Sequence, residues 1–371
     1  MVTRAAGTGP ISLSDINVEL GKNETDTIGL GQLDVRQLSR VNAPPFQMFN
    51  LFSKYRGATI YGIFVFGTQG GSVIPINVSN KLSNSGSIAA DVTTAGPGRE
   101  SAVGTSYGLD KGIVVYGIYR GQSPAYKNLS NLISNTGVVA SDTSIVGTPR
   151  TESSGSKYGY DKAIVGFGFA GNNGPATPVN GVINVFNLIT NTGVLGSDNN
   201  TSAAYRWGAA CAPHSYDKAV FAFGAILNSN STLTFLNSFN QVTNTGVIGS
   251  DTIATGTTAR HFLAAAGYGD TKAAFFGGQT TALGGWTNGL SLMEGGVTLA
   301  QYTTTVTGRS YHTGCTYNVT NATFAWGTSS GVFNGLTGAL RLNSLGSFIT
   351  SGTNLGTTKT AVAGVAYSNF V

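Results

Sequence analysis

The stretch that decides the fold is Asp161-Lys-Ala-Ile-Val-Gly-Phe-Gly168, which begins eleven positions after Arg150. Related runs end at Gly117, Gly224, Gly277 and Gly327, and each follows a basic residue by ten or eleven positions. A second marker, Asn-Thr-Gly or Asn-Ser-Gly, recurs in phase and ends at Gly86, Gly137, Gly193 and Gly246. A period of about fifty residues with short apolar runs is typical of β-propeller blades.

The two ends of the array are incomplete in complementary ways. The run Ile60-Tyr-Gly-Ile-Phe-Val-Phe-Gly67 has no basic residue of the usual kind before it, and Lys359 has no apolar run after it. Residues 359–371 are therefore expected to supply the first strand of the blade whose other strands begin near Ile60. The predicted fold is all-β, a six-bladed propeller of four-stranded blades closed by N- and C-terminal strands.

The composition fits this fold and limits the function. Only 10% of the residues are charged, against about 25% in ordinary soluble domains, so hydroxyls and amides must dress the surface. Such surfaces suit assembly contacts or carbohydrate, and they also occur in turn-rich all-β proteins of any function. The net charge of +5 is not clustered, which argues against nucleic acid as a partner.

Two cysteines, Cys211 and Cys315, fall on first strands of non-adjacent blades and should point to opposite faces, so no disulfide is expected. Free buried thiols suit assembly in a reducing cytoplasm. The first ten residues lack the apolar core of a secretion signal, and no stretch approaches the length of a membrane span.

Basic residues form the one constellation that the repeat places in a defined geometry. They should surround one mouth of the central channel and comprise Arg99, Arg150, Arg206, Arg260, Arg309 and Lys359. One interpretation is a site for an anion or glycan, because guanidinium groups bind carboxylates and phosphates bidentately. The other, which we favour, is that each bridges to an Asp or carbonyl of the next blade and fixes blade spacing, because unpaired guanidinium groups would repel one another.

No catalytic, metal or cofactor site emerges from the sequence. The series Asp91, Asp142, Asp198 and Asp251 offers one carboxylate per blade, which caps a turn more often than it binds calcium. Gly104-Thr-Ser-Tyr-Gly108 matches a serine-nucleophile motif by letter, but it lies where a blade strand is predicted. The three histidines, His214, His261 and His312, have no common repeat position and are expected in the core or on the surface.

Residues 1–56 lie outside the repeat, and residues 57–371 form the predicted propeller domain. Ser14 is a plausible cap of a short helix that Gly21 ends, and 33–38 suggests a second helix. The segment is too small to bury a core alone, so its apolar side chains should meet a partner. The candidate assembly residues are Ile11, Leu13, Ile16, Leu20, Phe46, Phe49 and Phe52.

The N-terminal segment also resembles a known module. Ile11-Ser-Leu-Ser-Asp-Ile-Asn-Val-Glu-Leu-Gly21, Asp34-Val-Arg-Gln-Leu38 and Phe49-Asn-Leu-Phe-Ser-Lys54 are similar to a segment at the start of tailed-bacteriophage virion proteins, although the usual Gly-Lys-Ser ending is absent. The resemblance implies a virion structural protein, tail- or fibre-associated and oligomeric, that joins other virion proteins through 1–56 after assembly in the host cytoplasm. The repeat itself is similar in architecture to kelch repeats.

Two functions from different classes therefore remain, with a cellular kelch-like scaffold as a third that the N-terminal segment disfavours. The first is a non-enzymatic virion protein that displays the propeller for host-surface glycan binding or for assembly contacts. The second is a glycan-acting enzyme, sialidase-like or a depolymerase, because six-bladed propellers include sialidases. Against it, neither the sialidase Asp-box pattern nor a paired-carboxylate cluster is present.

Overall fold

A computed structural model describes residues 59–69, 74–119, 123, 125–171, 181–269, 271–282, 284–296, 298–318, 320–329, 336–352 and 354–369. Those residues contain thirty β-strands and no α-helix. Twenty-four of the strands form six four-stranded antiparallel sheets. First strands of consecutive sheets contact one another, which arranges the sheets around an axis as the blades of a six-bladed propeller.

Each blade is described from its inner to its outer strand. Blade 1 comprises β30 (Ala363–Asn369), β1 (Thr59–Val65), β3 (Val78–Leu82) and β4 (Val92–Thr93). Blade 2 comprises β5 (Val103–Tyr107), β6 (Lys111–Val115), β7 (Leu129–Ile133) and β8 (Thr143–Ser144). Blade 3 comprises β9 (Ser154–Tyr158), β10 (Lys162–Gly166), β11 (Val185–Ile189) and β12 (Asn199–Asn200).

The remaining blades follow the same plan. Blade 4 comprises β13 (Ala210–His214), β14 (Lys218–Ala222), β17 (Ser238–Val242) and β18 (Thr252–Ile253). Blade 5 comprises β19 (Ala264–Tyr268), β20 (Lys272–Phe276), β23 (Gly289–Glu294) and β24 (Thr298–Thr303). Blade 6 comprises β25 (Thr313–Tyr317), β26 (Asn321–Ala325), β27 (Ala339–Leu342) and β28 (Phe348–Gly352). Short two-stranded sheets are β2 (Thr68–Gln69) with β29 (Lys359–Thr360), β15 (Ala225–Leu227) with β16 (Leu233–Phe235), and β21 (Gln279–Thr281) with β22 (Gly284–Trp286).

Blade 1 joins the two ends of the repeat array. Its strand order is β30-β1-β3-β4, so the C-terminal strand takes the inner position and the three N-terminal strands complete the sheet. The predicted closure and the predicted number of blades are confirmed. Because this sheet draws its strands from both ends of the array, opening the ring there would require breaking a complete strand pairing.

The second strand of each blade forms its hydrophobic centre. Ile113, Val114 and Val115 of β6 are all 0% exposed, although consecutive side chains point to opposite faces of the sheet. Both faces are buried because a neighbouring blade covers each one, as their alternating membership of different apolar clusters indicates. The predicted burial of both faces is therefore confirmed.

The Asn-Thr-Gly marker forms the turn between the third strand and the outer strand. In blade 3 the turn ends at Gly193, whose φ of 83° is in the left-handed region that favours glycine. A Cβ at Gly193 would also lie 2.8 Å from Cζ of Tyr107, the last residue of the inner strand of blade 2. The marker therefore locks neighbouring blades together in addition to turning the chain.

The same glycine-on-ring contact recurs at all six junctions. The ring belongs to the last residue of an inner strand, or to Tyr367 in blade 1, and the glycine belongs to the following blade. The pairs are Tyr107 with Gly193, Tyr158 with Gly246, His214 with Gly296, Tyr268 with Gly346, Tyr317 with Gly86, and Tyr367 with Gly137.

Replacing Gly193 with Ala should destabilise the propeller by about 2 kcal/mol or more, because a left-handed φ costs a side chain about 1–2 kcal/mol and the Tyr107 ring must also move. Gly196→Ala is a matched control three residues away, since its only close atom is the Leu188 carbonyl oxygen at 3.4 Å and its φ is not left-handed. Chemical denaturation of both variants tests this expectation. Equal losses for the two variants would contradict the contact.

Two predicted helices, one capped by Ser14 and ended by Gly21 and the other at 33–38, lie outside the described residues. The same is true of the candidate assembly residues Ile11, Leu13, Ile16, Leu20, Phe46, Phe49 and Phe52. Within the described part, Cys211 and Cys315 are buried and free, as predicted. The described part also contains no helix long and apolar enough to cross a membrane.

Candidate functional site

The six repeated basic residues lie in the segments that cross from one blade to the inner strand of the next. Their side chains are almost fully buried, with exposed fractions between 0% and 4%. They are Arg99, Arg150, Arg206, Arg260, Arg309 and Lys359. Because a buried cation needs compensating partners, each one should be neutralised or hydrogen-bonded within the protein.

An aromatic ring of the preceding blade provides one of these partners. The guanidinium carbon of Arg150 lies 4.4 Å from the ring centroid of Tyr116, and that of Arg260 lies 4.1 Å from the ring of Phe223. The other such pairs are Arg99 with Phe66, Arg206 with Phe167, and Lys359 with Trp326. Cation–π contacts of this kind stabilise most where water is excluded.

The glycine that follows this aromatic residue in the chain adds a backbone contact at every junction. Gly117 N–H, for example, donates to the carbonyl of Arg150 at 3.0 Å. The full set is Gly67 to Arg99, Gly117 to Arg150, Gly168 to Arg206, Gly224 to Arg260, Gly278 to Arg309, and Gly327 to Lys359. The aromatic residues before these glycines have left-handed φ values between 58° and 64°. Gly277 occupies the same position in blade 5, with a φ of 68°. Each basic residue is thus held by the preceding blade through both its side chain and its carbonyl, except Arg309, for which blade 5 has no ring.

Carboxylates of the repeated Asp series are the second partner. Arg99 Nη1 lies 3.2 Å from Oδ1 of Asp142, and Lys359 Nζ lies 2.6 Å from Oδ1 of Asp91. Arg150 pairs with Asp198, and Arg206 pairs with Asp251. The Asp therefore belongs to the blade whose inner strand follows the basic residue.

An asparagine on the third strand links each of these ion pairs to the sheet. In blade 2, Asn131 accepts a hydrogen bond from Arg99 at 2.5 Å and donates one to Asp142 at 2.7 Å. Asn187 does the same between Arg150 and Asp198 in blade 3. In blades 2 and 3 the buried polar groups are thus joined in a network rather than in isolated pairs. In blades 1 and 4, Asn80 and Asn240 donate to Asp91 and Asp251 but accept no hydrogen bond from the cation.

A β-bulge presents the aspartate to the cation. In blade 2, Ile133 pairs with Val139 and Leu129 pairs with Ser144, so five steps of the outer segment oppose four steps of β7. The extra residue lies beside Asp142, and a bulge of this kind bends the strand and redirects its side chains. The same one-residue shift occurs in blades 1, 3 and 4, around Asp91, Asp198 and Asp251.

Burial and ion pairing have opposite effects on the pKa of each of these groups. Burial lowers the pKa of Arg99 from 12.5 to about 10, although Asp142 opposes the change, so the guanidinium stays charged at neutral pH. Burial alone would raise the pKa of Asp91, but Lys359, Thr357 and Asn80 together hold it at about 2. Arg99 and Asp91 therefore remain charged over the physiological pH range.

Blades 5 and 6 depart from this plan. Arg260 has no carboxylate partner among the described residues, and its Nη1 donates instead to Gln301 Oε1 at 2.8 Å. Arg309 donates to the carbonyls of Trp326 and Gly338 at 3.2 and 2.8 Å. Blade 5 has Gly277 where the other blades have an aromatic residue. The ring of His312 packs against this glycine, since a Cβ on Gly277 would lie 2.8 Å from His312 Cε1.

The geometry favours the second interpretation of the basic ring, in which the cations fix blade spacing. A site for an external anion needs guanidinium groups that reach solvent, and these six side chains are engaged inside the junctions. The Asp series has the same structural role as partner of the cations. Among the described residues, no group of His, Cys, Asp and Glu is arranged to hold a metal ion.

Removing Arg99 should cost far more than removing Arg260, because only Arg99→Met leaves a partly buried carboxylate without its cation. Breaking a buried ion pair on one side costs about 3–5 kcal/mol, and we expect Arg260→Met, which leaves the neutral Gln301, to cost about 2 kcal/mol less. Thermal unfolding of both variants under one protocol measures the difference. Equal shifts of Tm would contradict a role for the charge.

The Asp91–Lys359 pair predicts a pH dependence of stability. The pKa of Asp91 in the folded protein is about 2, below its unfolded value of 3.8, so this contribution is complete above about pH 4 and is lost as the pH falls toward 2. The free energies of unfolding of the wild type and of Asp91→Asn should therefore converge between pH 4 and pH 2. Denaturant titrations at several pH values test this, and a constant difference would contradict it.

A closed ring of backbone hydrogen bonds lies beside these cations. The residue two positions after each basic residue donates its N–H to the carbonyl of the equivalent residue in the preceding blade, at 2.8–3.3 Å. The six residues are Ser101, Glu152, Gly208, Phe262, Tyr311 and Ala361, and all have left-handed φ values of 51–59°. The backbone is therefore six-fold regular here, while the side chains differ from blade to blade.

Those differences create an arc of aromatic side chains, which we call the aromatic arc. It comprises Tyr126, Phe169, Trp207, His261, Phe262 and Tyr311. Successive ring centroids lie 4.0–6.3 Å apart, from Tyr311 on Phe262 at 4.0 Å to Tyr126 beside Phe169 at 6.3 Å. His261 and Phe262 are buried, whereas the other four rings are only half-buried. The arc thus extends over five blades, and four of its six side chains are partly accessible to solvent.

The aromatic arc is uncharged and has an unused hydrogen-bond donor. Burial lowers the pKa of His261 to about 4, although the Gln279 carbonyl opposes the change, so its imidazole is neutral at neutral pH. Trp207 Nε1 has no hydrogen-bond partner in the described part of the chain. Mutual stacking holds the rings in place, so a ligand would meet a preorganised surface.

Reasoning from the repeat missed the aromatic arc because its residues do not repeat. The signal was present as variation: the two residues after each basic position read Glu-Ser, Thr-Glu, Trp-Gly, His-Phe, Ser-Tyr and Thr-Ala. The expected core or surface placement of the histidines holds for all three, since His214, His261 and His312 are buried. The Gly104–Gly108 motif lies in β5 and its hairpin, as expected of a blade strand.

No model of a known protein family matches this chain, and no curated protein matches it in sequence.

Proposed function

We propose that this chain is a non-enzymatic, virion-associated protein of a tailed bacteriophage that is anchored by residues 1–56 and uses its propeller to bind glycan on the host surface. The observation that carries the binding role is the aromatic arc, which breaks the blade-to-blade repeat on one face of the ring. A virion attachment role draws its support from the sequence of residues 11–54.

A glycan is the ligand class that the arc fits best. Sugar rings carry C–H groups on their faces, and these groups pack against the electron-rich faces of aromatic rings. Half-buried, fixed rings provide such platforms at Tyr126, Phe169 and Tyr311. The lack of charge on the arc favours a neutral saccharide over an acidic one.

A non-catalytic role is the simpler proposal because the repeated carboxylates are committed elsewhere. Asp91, Asp142, Asp198 and Asp251 are all paired with buried cations. A glycosidase needs two carboxylic groups facing one bond, with one of them held protonated. The pKa of Asp91 and that of Asp198 are instead lowered, which suits structural ion pairs.

Replacing Phe169 or Tyr311 with Ala should weaken binding of the isolated protein to host-surface polysaccharide about tenfold, since one stacking contact contributes about 0.5–1.5 kcal/mol. Leu345→Ala is the control, because Leu345 is 79% exposed in the turn before β28 and is not part of the aromatic arc. Binding isotherms on extracted polysaccharide measure the effect. Equal affinity of the arc variants and the wild type would refute the arc as the site.

Immunogold labelling of intact particles, with serum against the propeller, tests the virion role in the same set of variants. Wild type, Phe169→Ala and Leu345→Ala should label particles equally, whereas a chain lacking residues 1–56 should be absent from them. Label at the distal tail would support a receptor-facing propeller. Absence of label from particles produced with the wild-type chain would overturn the virion assignment.

A further inference from the structure

The outer strand of blade 5 differs from its counterparts in the other blades. In blades 1 to 4 the outer strand has two residues and is preceded by a bulge, and in blade 6 the pairing of β27 with β28 shifts register between Ala339 and Arg341. β24 instead runs for six residues, Thr298–Thr303, in unbroken register with β23. It is thus the one long and regular sheet edge among the described blades.

The register shows which backbone groups of β24 face outward. Gly289 accepts a hydrogen bond from Gly277 on the β20 side, and Asn288 accepts one from Thr304 on the β24 side. Because hydrogen-bonded and non-hydrogen-bonded pairs alternate in an antiparallel ladder, residues 298, 300 and 302 bond to β23. The N–H and C=O groups of Leu299, Gln301 and Thr303 therefore point away from the sheet.

This edge has none of the devices that proteins use to protect exposed strands. Such devices are charged side chains, proline, bulges and very short strands. The sequence of β24 is Thr-Leu-Ala-Gln-Tyr-Thr, with no charge and no proline. Its residues Thr298, Ala300, Tyr302 and Thr303 are exposed. Blades 1 to 4 have short, bulged outer strands, and the outer strand of blade 6 pairs with a register shift, so an unbroken long edge is found only in blade 5 among the described blades.

We infer that β24 is a self-association strand: two copies of this chain pair their β24 edges antiparallel about a twofold axis at Gln301. In this register Leu299 of one copy lies opposite Thr303 of the other, and the two Gln301 residues lie opposite each other. All three outward-facing residues are then used, and each hydrogen-bonded pair exchanges two bonds. Shifting the register by one step would leave outward groups without partners.

A second copy is the occupant that this edge suits best, because the pairing is self-complementary. Three outward residues, evenly spaced about Gln301, match themselves when the strand is reversed, as an isologous contact requires. Across the new pairing Ala300 of one copy lies beside Tyr302 of the other, and neither is charged. The inference goes beyond the proposed glycan binding and does not depend on it.

The dimer should be weak in dilute solution. Stable interfaces bury about 1,200 Å² or more, and a six-residue strand pair buries less than that. We therefore expect a dissociation constant in the micromolar range. In an assembly that holds several copies side by side, the effective concentration would raise occupancy without new contacts.

A charge-swap experiment on the full chain tests the pairing. Ala300→Lys with Tyr302→Lys places like charges opposite each other across the interface, and Ala300→Glu with Tyr302→Glu does the same with the opposite sign. In sedimentation equilibrium between about 1 and 300 µM, a range that brackets micromolar affinity, the wild-type mass should rise from that of a monomer toward that of a dimer, whereas each variant alone should keep the monomer mass throughout. An equimolar mixture of the two should recover the wild-type mass.

Two controls separate this result from misfolding. Thr252→Lys with Ile253→Lys changes the exposed, short outer strand of blade 4 and should leave the mass unchanged. Residue-resolved hydrogen exchange should show slow amides at 299, 301 and 303 in the wild type and fast ones in the Lys variant, with amides 300 and 302 slow in both.

Three results would overturn the inference. They are a wild type whose mass does not depend on concentration, Lys and Glu variants that keep the wild-type mass, and a mixture of the two that stays dissociated. Protection of amides 299, 301 and 303 without self-association would show that another segment or another protein occupies the edge, which also overturns it.

Discussion

The ring depends on one contact between blades, in which a buried cation lies on an aromatic ring of the preceding blade. The ring residue has a left-handed φ, which costs about 1–2 kcal/mol for a residue with a side chain. That conformation turns the ring and the next N–H toward the following blade, where they meet the side chain and the carbonyl of one basic residue. The strain is offset only when the neighbour is present, so a blade has little reason to hold this shape alone.

The junctions use a large share of the few charged residues in this chain. The chain has 21 Lys and Arg and 16 Asp and Glu, and at least six of the former and four of the latter lie in the blade junctions. These junctions hold about a quarter of the charged residues of a chain that is only 10% charged. A surface with few charges can contact a ligand through aromatic faces and main-chain hydrogen bonds. The aromatic arc offers the former, and the outer edge of β24 offers the latter.

The sequence predicted what repeats and missed what does not. The blade number and the closure followed from the period and from the incomplete ends, because Lys359 and Ile60 complete each other's pattern. The partners of the basic residues were foreseen in kind, as Asp or carbonyl groups, but not the aromatic ring, because Tyr116 and Phe223 were counted only as strand residues. The Tyr107–Gly193 contact was missed because it joins residues of neighbouring blades that no local pattern connects.

Blade 5 shows how the residue that contacts the cation is related to the shape of the outer strand. Aspartate is short, so in blades 1 to 4 a bulge is needed to bring it to the cation, and the bulge also blunts the outer strand. Gln301 is one methylene longer and reaches Arg260 at 2.8 Å from a regular strand. The exchange gives up an ion pair, and Ser291 takes over the role of the third-strand asparagine by accepting from Arg260 at 2.8 Å. Because the longer side chain makes the bulge unnecessary, the outer strand stays straight, and its outward amides form the open edge that the other blades avoid.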